Sequence, residues 1–421
     1  MQEAAAEPAP TPCTPVLCEG DAIRGGRRRL AAPRGAARIG EPSHEAEPGV
    51  DAAGPPRARR LLRRPRALVR RRMLLVYGST GYTGRLVVAE ALARGVRPVL
   101  AGRTAAALAA QAEPLGLAWR AAALDDPRAL DRALDGATVV LHCAGPFSRT
   151  WRAMSDACLR RRAHYLDITG EIAVFEALAA RDAEARAAGI MLLPGVGFDV
   201  VPSDCLAAHL ARRLPDAVRL ALAFDAVGRP SRGTRATMLE QLGRPGAVRR
   251  GGRLVPVPPA HHTRRIDFGE GRVRDATTIP WGDVSTAWHS TGIPDVAVYM
   301  AMPPALRRAA RLSRLLAPVL ASGPVQRALA RRVQAGPAGP SDAERARGSS
   351  LLWGEAVADD GRRAEARLRG PEGYTLTAMS AVHLARRALA GDAPAGFQTP
   401  SRAYGADVVL ELPGVVRTDV A

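Results

Sequence analysis

The chain has 421 residues, which is enough for two or three domains and a large buried core. Its formal net charge is +19, yet it contains no lysine, and this bias with abundant Ala, Gly and Pro indicates GC-rich codon usage rather than a nucleic-acid surface. The missing lysine also excludes P-loop nucleotide hydrolases and Schiff-base catalysis.

Residues 1–72 are predicted to be a disordered basic tail, because they are rich in Pro, Ala, Gly and Arg and lack apolar periodicity. They contain no continuous apolar run of the kind that a secretory signal needs. Two interpretations stay open: the natural protein starts at Met73 and the tail is a mis-called start, or the tail is a real basic arm. The five cysteines form no C-x-x-C pair, and their odd number indicates reduced thiols and a cytoplasmic protein.

A glycine turn follows the tail. The apolar run at 73–77 predicts a buried strand, and the helix formers at 85–94 predict a helix. Between them, Gly78 allows a tight turn, Gly81 lets backbone approach a phosphate, and Gly84 lets the helix pack on the strand. The helix N-terminus attracts the pyrophosphate of a dinucleotide, although a purely structural turn is the alternative. The predicted cofactor-binding residues here are Gly78, Ser79, Thr80, Gly81, Tyr82, Thr83 and Gly84.

Arg103 bears on the identity of the cofactor. It follows a second apolar run at 98–101, which completes a βαβ unit. An NAD site usually has an acidic residue here for the ribose 2′-hydroxyl, but none lies between 95 and 111. An arginine offers a fork of donors to a 2′-phosphate instead. The sequence therefore predicts NADP(H), with chance placement of an abundant residue as the alternative.

Strands and helices continue to alternate, which predicts a Rossmann-type, doubly wound parallel sheet of six strands over 73–214. The predicted helices lie at 105–112, from 126 to about 136, and at 151–162, 171–188 and 205–214. The predicted strands after the first two lie at 117–124, 138–143, 164–168 and 190–193.

From 215 to 372 the pattern predicts an α+β domain for substrate binding or dimerisation, with an antiparallel sheet. Its predicted strands lie at 218–227, 248–257, 263–268, 272–279, 286–290, 350–358 and 362–369. The basic, amphipathic helical stretch at 303–333 is either a core or homodimer face or a membrane surface. The last segment, 373–421, is predicted as a helix and a strand that can pack back on the nucleotide domain.

Ligands of doubly wound sheets bind beyond the carboxyl ends of the strands. Besides the glycine turn, three loops are predicted at that edge. They lie at 143–147, 167–171 and 194–204. The small residues of the first fit a close approach to ribose and nicotinamide, with ordinary turn chemistry as the alternative. The predicted cofactor contacts there are Cys143, Ala144, Gly145 and Pro146.

Together these segments resemble the saccharopine dehydrogenase-like oxidoreductase family. The resemblance is carried by residues 77–84, 100–103, 143–147, 165–171 and 194–204. Residues 290–294 and 398–401 are similar to bacterial members described as trans-acting enoyl reductases. The resemblance, over about 73–416, implies an NADP-binding Rossmann domain with an α+β substrate domain. It implies hydride transfer to or from a small or acyl substrate. No set of residues in this sequence matches a binding site for saccharopine itself.

The proton relay has only weak candidates. A Tyr–Lys pair of the short-chain dehydrogenase kind is impossible without lysine, so His, Asp, Glu, Tyr or Cys must serve. Asp199 lies in the last loop, and Asp283 and His289 can face the cleft from the second domain. Asp204 is favoured as a helix cap. No metal site is predicted, because the adjacent His261 and His262 would point to opposite faces of a strand.

Two functions from different classes stay open. The first is an NADP(H)-dependent oxidoreductase of enoyl or imine reductase type, acting on a small-molecule or acyl substrate. The second is a non-catalytic nucleotide-binding scaffold or sensor, associated with a membrane through 303–333. A reductase needs a titratable group near the nicotinamide, whereas a sensor needs none.

Overall fold

A computed structural model describes residues 72–226, 228–241, 244–313, 316–320 and 322–420. The predicted disordered tail, apart from Arg72, lies outside the described residues. All described residues belong to the compact unit Leu68–Ala421.

The nucleotide-binding half begins with six short strands, close to the predicted positions. They are β1 (Leu74–Tyr77), β2 (Val99–Gly102), β3 (Trp119–Ala121), β4 (Val139–His142), β5 (His164–Asp167) and β6 (Met191–Leu193). All pairings among them are parallel, in the order β6-β5-β4-β1-β2-β3. Successive residues of β1 enter different cores, since Leu74 and Val76 pack on one face and Leu75 and Tyr77 on the other. Burial on both faces explains the continuous apolar runs.

Seven helices connect and cover these strands. They are α1 (Tyr82–Ala93), α2 (Ala105–Ala112), α3 (Pro127–Ala133), α4 (Phe147–Arg161), α5 (Ile172–Ala179), α6 (Asp182–Ala188) and α7 (Val201–Arg213). The single helix predicted at 171–188 is wrong. The backbone leaves the helical conformation at Arg181, whose guanidinium bonds to Ser155 and Asp156 of α4. Helices α1, α4 and α7 begin three to four residues earlier than predicted.

The second half contains a larger sheet. Its strands are β7 (Ala217–Ala226), β8 (Gly246–Arg250), β9 (Arg253–Val257), β10 (Thr263–Asp267), β11 (Val273–Thr278), β12 (Asp295–Ala301), β13 (Ser349–Ala358), β14 (Arg363–Pro371) and β16 (Val416–Val420). Between β14 and β16 the chain forms the short strand β15 (Gly396–Phe397), which belongs to the first sheet. The larger sheet runs β10-β11-β12-β7-β13-β14-β16, with the β8–β9 hairpin beside β12. Its described pairings are antiparallel except for the parallel pair β7 and β12.

Eight helices accompany this sheet and the C-terminal segment. They are α8 (Arg232–Gln241), α9 (Asp283–Thr291), α10 (Pro304–Ser313), α11 (Ala317–Leu320), α12 (Gly323–Ala335), α13 (Asp342–Arg347), α14 (Gly373–Ala390) and α15 (Pro400–Tyr404). The strand predicted at 286–290 is wrong, because this stretch belongs to α9. Val284 and Ala287, three residues apart, both enter the core, so this stretch packs on one helical face.

The C-terminal segment joins both sheets. Strand β15 pairs in parallel with β6 and becomes a seventh strand of the nucleotide sheet, whereas β16 pairs with β14. Helix α14 packs against α1. The domain boundaries at 214 and 372 stay predictions. Among the described helices, none combines the length and the apolar character needed to cross a bilayer.

Candidate functional site

The glycine turn joins β1 to α1. Gly78 has φ +82°, and its N–H donates to the Ala101 carbonyl at 2.8 Å. A Cβ at Gly78 would lie 2.8 Å from the Ala144 backbone nitrogen, in the loop after β4. Both the positive φ and the close approach require glycine at this position. The turn after β1 and the loop after β4 therefore meet directly.

Gly84 lies within the first turn of α1. A Cβ there would come within 2.2 Å of the Gly78 carbonyl oxygen and 2.8 Å of the Ser79 Cα. Both neighbours are backbone atoms, which cannot move without displacing the turn. Gly84 thus has the geometry predicted for it, close packing of helix on strand.

Gly81 is the N-cap of α1, with φ −70° and ψ 167°. Its backbone is extended, so no positive φ requires glycine here. It is exposed, and its Cβ would approach only the Gly78 carbonyl oxygen, at 3.2 Å. The N–H groups of Tyr82 and Thr83 have no hydrogen-bond partner among the described residues. Free N–H groups at the N-terminus of a helix can bind a pyrophosphate, and the absence of a side chain on Gly81 leaves room for it.

Other side chains of the turn contact protein. Ser79 is buried and exchanges hydrogen bonds with Gln111 of α2 at 3.0 Å. The Tyr82 hydroxyl donates to the Pro340 carbonyl at 2.7 Å, and its ring packs edge-on against Tyr374. The side chains of Ser79 and Tyr82 therefore bind neighbouring parts of the protein. Only the backbone of these two residues stays available to contact a cofactor. Thr80 and Thr83 are half-buried.

Arg103 is exposed directly after β2, and its guanidinium makes no hydrogen bond or ion pair with any described residue. An unpaired guanidinium at the carboxyl end of the second strand suits a 2′-phosphate, since it can donate two parallel hydrogen bonds.

The loop after β4 contains Cys143, Ala144, Gly145 and Pro146, with a cis peptide bond between the last two. Burial raises the pKa of the Cys143 thiol to about 12, so the thiol stays protonated. Proline at the N-cap offers no side-chain cap to α4. Glu171 replaces it, because its carboxylate accepts from the Phe147 N–H at 2.8 Å and the Ser148 N–H at 3.0 Å.

Asp167 ends β5 and links the next two loops. Its carboxylate accepts from the Tyr165 hydroxyl at 2.5 Å and from the N–H groups of Thr169 and Gly195, both at 2.9 Å. Burial raises the pKa of Asp167 to about 6. Sequence reasoning missed these roles of Asp167 and Glu171, and the only available signal was their position at the end of a predicted strand and just after it.

Asp199 lies in the loop after β6, beside the loop after β5. A Cβ on Gly170 would lie 3.0 Å from the Asp199 carboxylate, and the Trp281 indole N–H donates to the Asp199 carbonyl at 2.7 Å. The carboxylate is half-buried and accepts no hydrogen bond from any described residue. Burial without a compensating donor raises the pKa of Asp199 to about 7.

The other two relay candidates lie in α9, where both pack against neighbouring side chains. Asp283 is fully buried at the start of α9 and accepts from the Ser203 hydroxyl at 2.9 Å, so it does not face the cleft as expected. His289 lies two helical turns further along α9, in a helix rather than a strand. Its ring packs on Phe397, and burial lowers its pKa.

Asp204 is also different from its expected role. It lies inside α7 instead of capping it, and its carboxylate accepts from the Ser290 hydroxyl and from the Ser401 N–H. The carboxylate joins α7, α9 and α15. The role of Asp204 is structural, as the sequence favoured, but it stabilises the fold by linking three helices through buried hydrogen bonds rather than by capping one.

Residues of the second half close over the same edge. The carboxylate of Glu240 in α8 bonds to the Ser148 hydroxyl at 3.1 Å and to Arg149 at 2.7 Å. The Tyr374 hydroxyl accepts from the Ser231 N–H at 2.5 Å, and the charge of Asp199 contributes to a raised Tyr374 pKa after the main effect of burial. Sequence reasoning missed Tyr374, because it follows the turn by nearly 300 residues.

The structure defines a Rossmann-type parallel sheet with a glycine turn after its first strand, and a second, mixed sheet whose flanking residues reach the strand ends. Comparison with known proteins specifies the type. The family model for the saccharopine dehydrogenase NADP binding domain matches residues 74–193. This domain type binds NADP, and the resemblance predicted from the loops is confirmed.

Three curated relatives illustrate the match. A trans-acting enoyl reductase of Mycobacterium leprae is 33% identical over 150 residues, covering 34% of this chain and 36% of the relative. A putative trans-acting enoyl reductase of Mycobacterium tuberculosis is 33% identical over 186 residues, covering 40% and 44%. The human saccharopine dehydrogenase-like oxidoreductase is 30% identical over 151 residues, covering 31% and 35%. The matched segments therefore span less than half of these relatives.

Among solved structures, saccharopine dehydrogenase (L-Glu forming) from Saccharomyces cerevisiae aligns with a TM-score of 0.57 at 13% identity. The alignment covers 83% of this chain and all of that chain, 100%. At this identity the likeness shows the shared fold alone. The fold of both halves is thus the one that the resemblance implied.

Arg103 is expected to select the cofactor. The Arg103→Ala protein should lose most of its preference for NADPH over NADH, a loss of roughly tenfold to a hundredfold, because charge-assisted hydrogen bonds to the 2′-phosphate contribute about 1.5–3 kcal/mol. Fluorescence titration with both cofactors measures the effect. Arg253→Ala, on an exposed arginine of β9, is the matched control and should change neither affinity. Equal affinities in the unmutated protein would contradict the assignment.

Proposed function

We propose that this protein is an NADPH-dependent reductase that delivers a hydride to a small or acyl substrate, of enoyl or imine reductase type. The match to an NADP-binding domain supports the choice of NADPH as the cofactor. The names of two relatives, a trans-acting enoyl reductase and a putative trans-acting enoyl reductase, support a polarised double bond as the group that is reduced.

The observation that carries the proposal is the carboxyl of Asp199. Reduction of a double bond requires a hydride at one atom and a proton at the other, so the protein must supply a proton. Asp199 lies beyond β6, at the edge where parallel sheets bind their ligands. With a pKa of about 7 and no described hydrogen-bond partner, its carboxyl can hold a transferable proton near neutral pH.

The other residues of the edge bind and orient. When bound, NADPH supplies the hydride. The N-terminus of α1 holds the pyrophosphate, and Arg103 holds the 2′-phosphate. The loop at 143–146 lies between the turn and the β5 loop, where small residues leave room for the ribose and the ring. The second half packs against these loops, since the Trp281 indole N–H donates to the Asp199 carbonyl and a Cβ on Gly282 would lie 3.2 Å from the Gly170 carbonyl oxygen.

A non-catalytic sensor would need no proton donor at this edge. A half-buried carboxyl that accepts no hydrogen bond from the described residues is unfavourable in its charged form, because nothing in the protein compensates its lost hydration. The position of such a group among the strand-end loops is typical of a catalytic acid. The reductase is therefore the function that the site supports better.

Asp199→Asn is expected to reduce kcat by about a hundredfold to ten-thousandfold while NADPH affinity stays unchanged. The measurement is NADPH oxidation with a panel of enoyl thioesters and cyclic imines. If the protonated carboxyl is the active form, the unmutated protein is active below pH 7 and loses activity as the pH rises through about 7. The variant should lose this pH dependence.

The matched control is Asp359→Asn, which changes an exposed carboxylate in the turn between β13 and β14. It should leave both kcat and the pH profile unchanged. An Asp199→Asn protein with normal turnover would refute the proton donor, and no NADPH oxidation by the unmutated protein with either substrate class would favour the sensor.

A further inference from the structure

Helix α10 packs on the second sheet through its arginines. Arg307 forms an ion pair with Asp275 of β11 at 2.6 Å, and Arg311 donates to the Thr263 hydroxyl of β10 at 3.1 Å. These arginines are four residues apart and share one face of the helix. Beneath them is a cavity of about 490 Å³, with Asp225 and Arg274 in its lining. The inward face of α10 is therefore polar.

The outward face of the same helix is apolar. Leu306, Ala309 and Leu312 recur every three residues, on the side opposite to Arg307 and Arg311. All three are exposed, with Leu306 at 53% and Leu312 at 57%. A surface helix normally turns its apolar face to the core. Helix α10 has the reverse orientation, because the bonds of Arg307 to Asp275 and of Arg311 to Thr263 hold its arginine face against the sheet.

The segments after α10 continue this surface. Leu316 is 54% exposed, and Val319 of α11 is 57% exposed. Exposed arginines without an ion pair to any described residue accompany these side chains. They are Arg308, Arg327, Arg331 and Arg332. No acidic residue occurs between 303 and 341, a stretch with seven arginines. The stretch from α10 to α12 thus presents both apolar and cationic side chains to solvent.

We propose that the surface from α10 to α12 binds an anionic lipid bilayer, with the leucines of α10 inserted among the lipids and the arginines on the headgroups. Interfacial helices combine these properties: apolar side chains that enter the acyl boundary and arginines that attract negative headgroups. A second copy of the chain fits less well. A two-fold dimer through this surface would place it against itself and would bring arginines against arginines.

Sedimentation of the full chain with vesicles tests the proposal. The protein should bind vesicles made of equal parts of phosphatidylcholine and phosphatidylglycerol, and should bind phosphatidylcholine vesicles more weakly. The double variant Leu306→Ser, Leu312→Ser should lose at least about tenfold in affinity for the anionic vesicles, since two apolar side chains no longer insert. The N-terminal 72 residues are the same in every variant, so the difference reports on α10.

A matched control changes two other exposed apolar residues, Leu115→Ser and Val416→Ser, and should bind like the unmutated protein. The second variant, Arg331→Gln with Arg332→Gln, should lose roughly tenfold or more for anionic vesicles. Its control is Arg128→Gln with Arg253→Gln, two exposed arginines elsewhere. NADPH affinity should stay normal in all four proteins, which separates this proposal from the proposed reductase.

Two outcomes would overturn the proposal. One is equal vesicle affinity for the α10 double variant and its control. The other is an unmutated protein that does not bind vesicles and is a dimer in solution, together with a Leu306→Ser, Leu312→Ser protein that is a monomer. That result would mean that the apolar face of α10 binds a second copy of the chain.

Discussion

The Gly81→Val protein is expected to fold normally and to lose at least about a hundredfold in NADPH affinity, or ~3 kcal/mol. Gly81 is exposed and has an ordinary extended backbone, so valine meets no obstacle except the Gly78 carbonyl oxygen at 3.2 Å. Its side chain would occupy the space in front of the free N–H groups of α1, where the pyrophosphate is expected to lie. Valine there would therefore block the ligand rather than the fold.

The measurement is NADPH titration and thermal melting on the same sample. Gly233→Val is the matched control, because Gly233 also lies in the first turn of a helix and its Cβ would meet nothing closer than 3.7 Å. The control should bind NADPH normally. Near-normal affinity in a folded Gly81→Val protein would mean that the phosphate does not lie on this turn.

Gly84→Ala should have the opposite effect, a loss of stability. The new methyl group would lie 2.2 Å from the Gly78 carbonyl oxygen, and overpacking of this kind costs about 3 kcal/mol in the free energy of unfolding. The usual effect of Gly→Ala in a helix is a gain of roughly 0.5–1 kcal/mol. Urea denaturation decides between these signs. Gly233→Ala in α8 is the control and should be neutral or stabilising; a stable Gly84→Ala protein would contradict the close packing of α1 on the turn.

The sequence by itself determined the nucleotide half. Apart from the exposed edge strand β3, its strands are buried, so they appear as short apolar runs that the sequence shows without any tertiary information. The positive φ of Gly78 and the close packing at Gly84 follow from requirements within one βαβ unit, which are local, whereas the approach of Gly78 to Ala144 is tertiary. Arg103 comes after the second strand for the same reason. The fold class and the NADP prediction therefore needed only neighbouring residues.

The relay residues depended on tertiary structure. Asp199, Asp283 and His289 were equivalent as sequence candidates, yet burial against Ser203 removes Asp283 from the cleft, and packing on Phe397 occupies His289. Asp199 differs because no described donor reaches its carboxylate. Such differences arise between segments up to a hundred or more residues apart, and local periodicity contains no information about them.

Three further features have the same origin. Strand β15 pairs with β6 because β6 has an otherwise unpaired edge. Glu171 caps α4 because the loops after β4 and β5 are adjacent. The outward apolar face of α10 is the clearest case. Its amphipathic pattern was visible in the sequence, but which face met the protein depended on Asp275 of a distant strand, since an ion pair there holds the arginines inward and leaves the leucines to solvent.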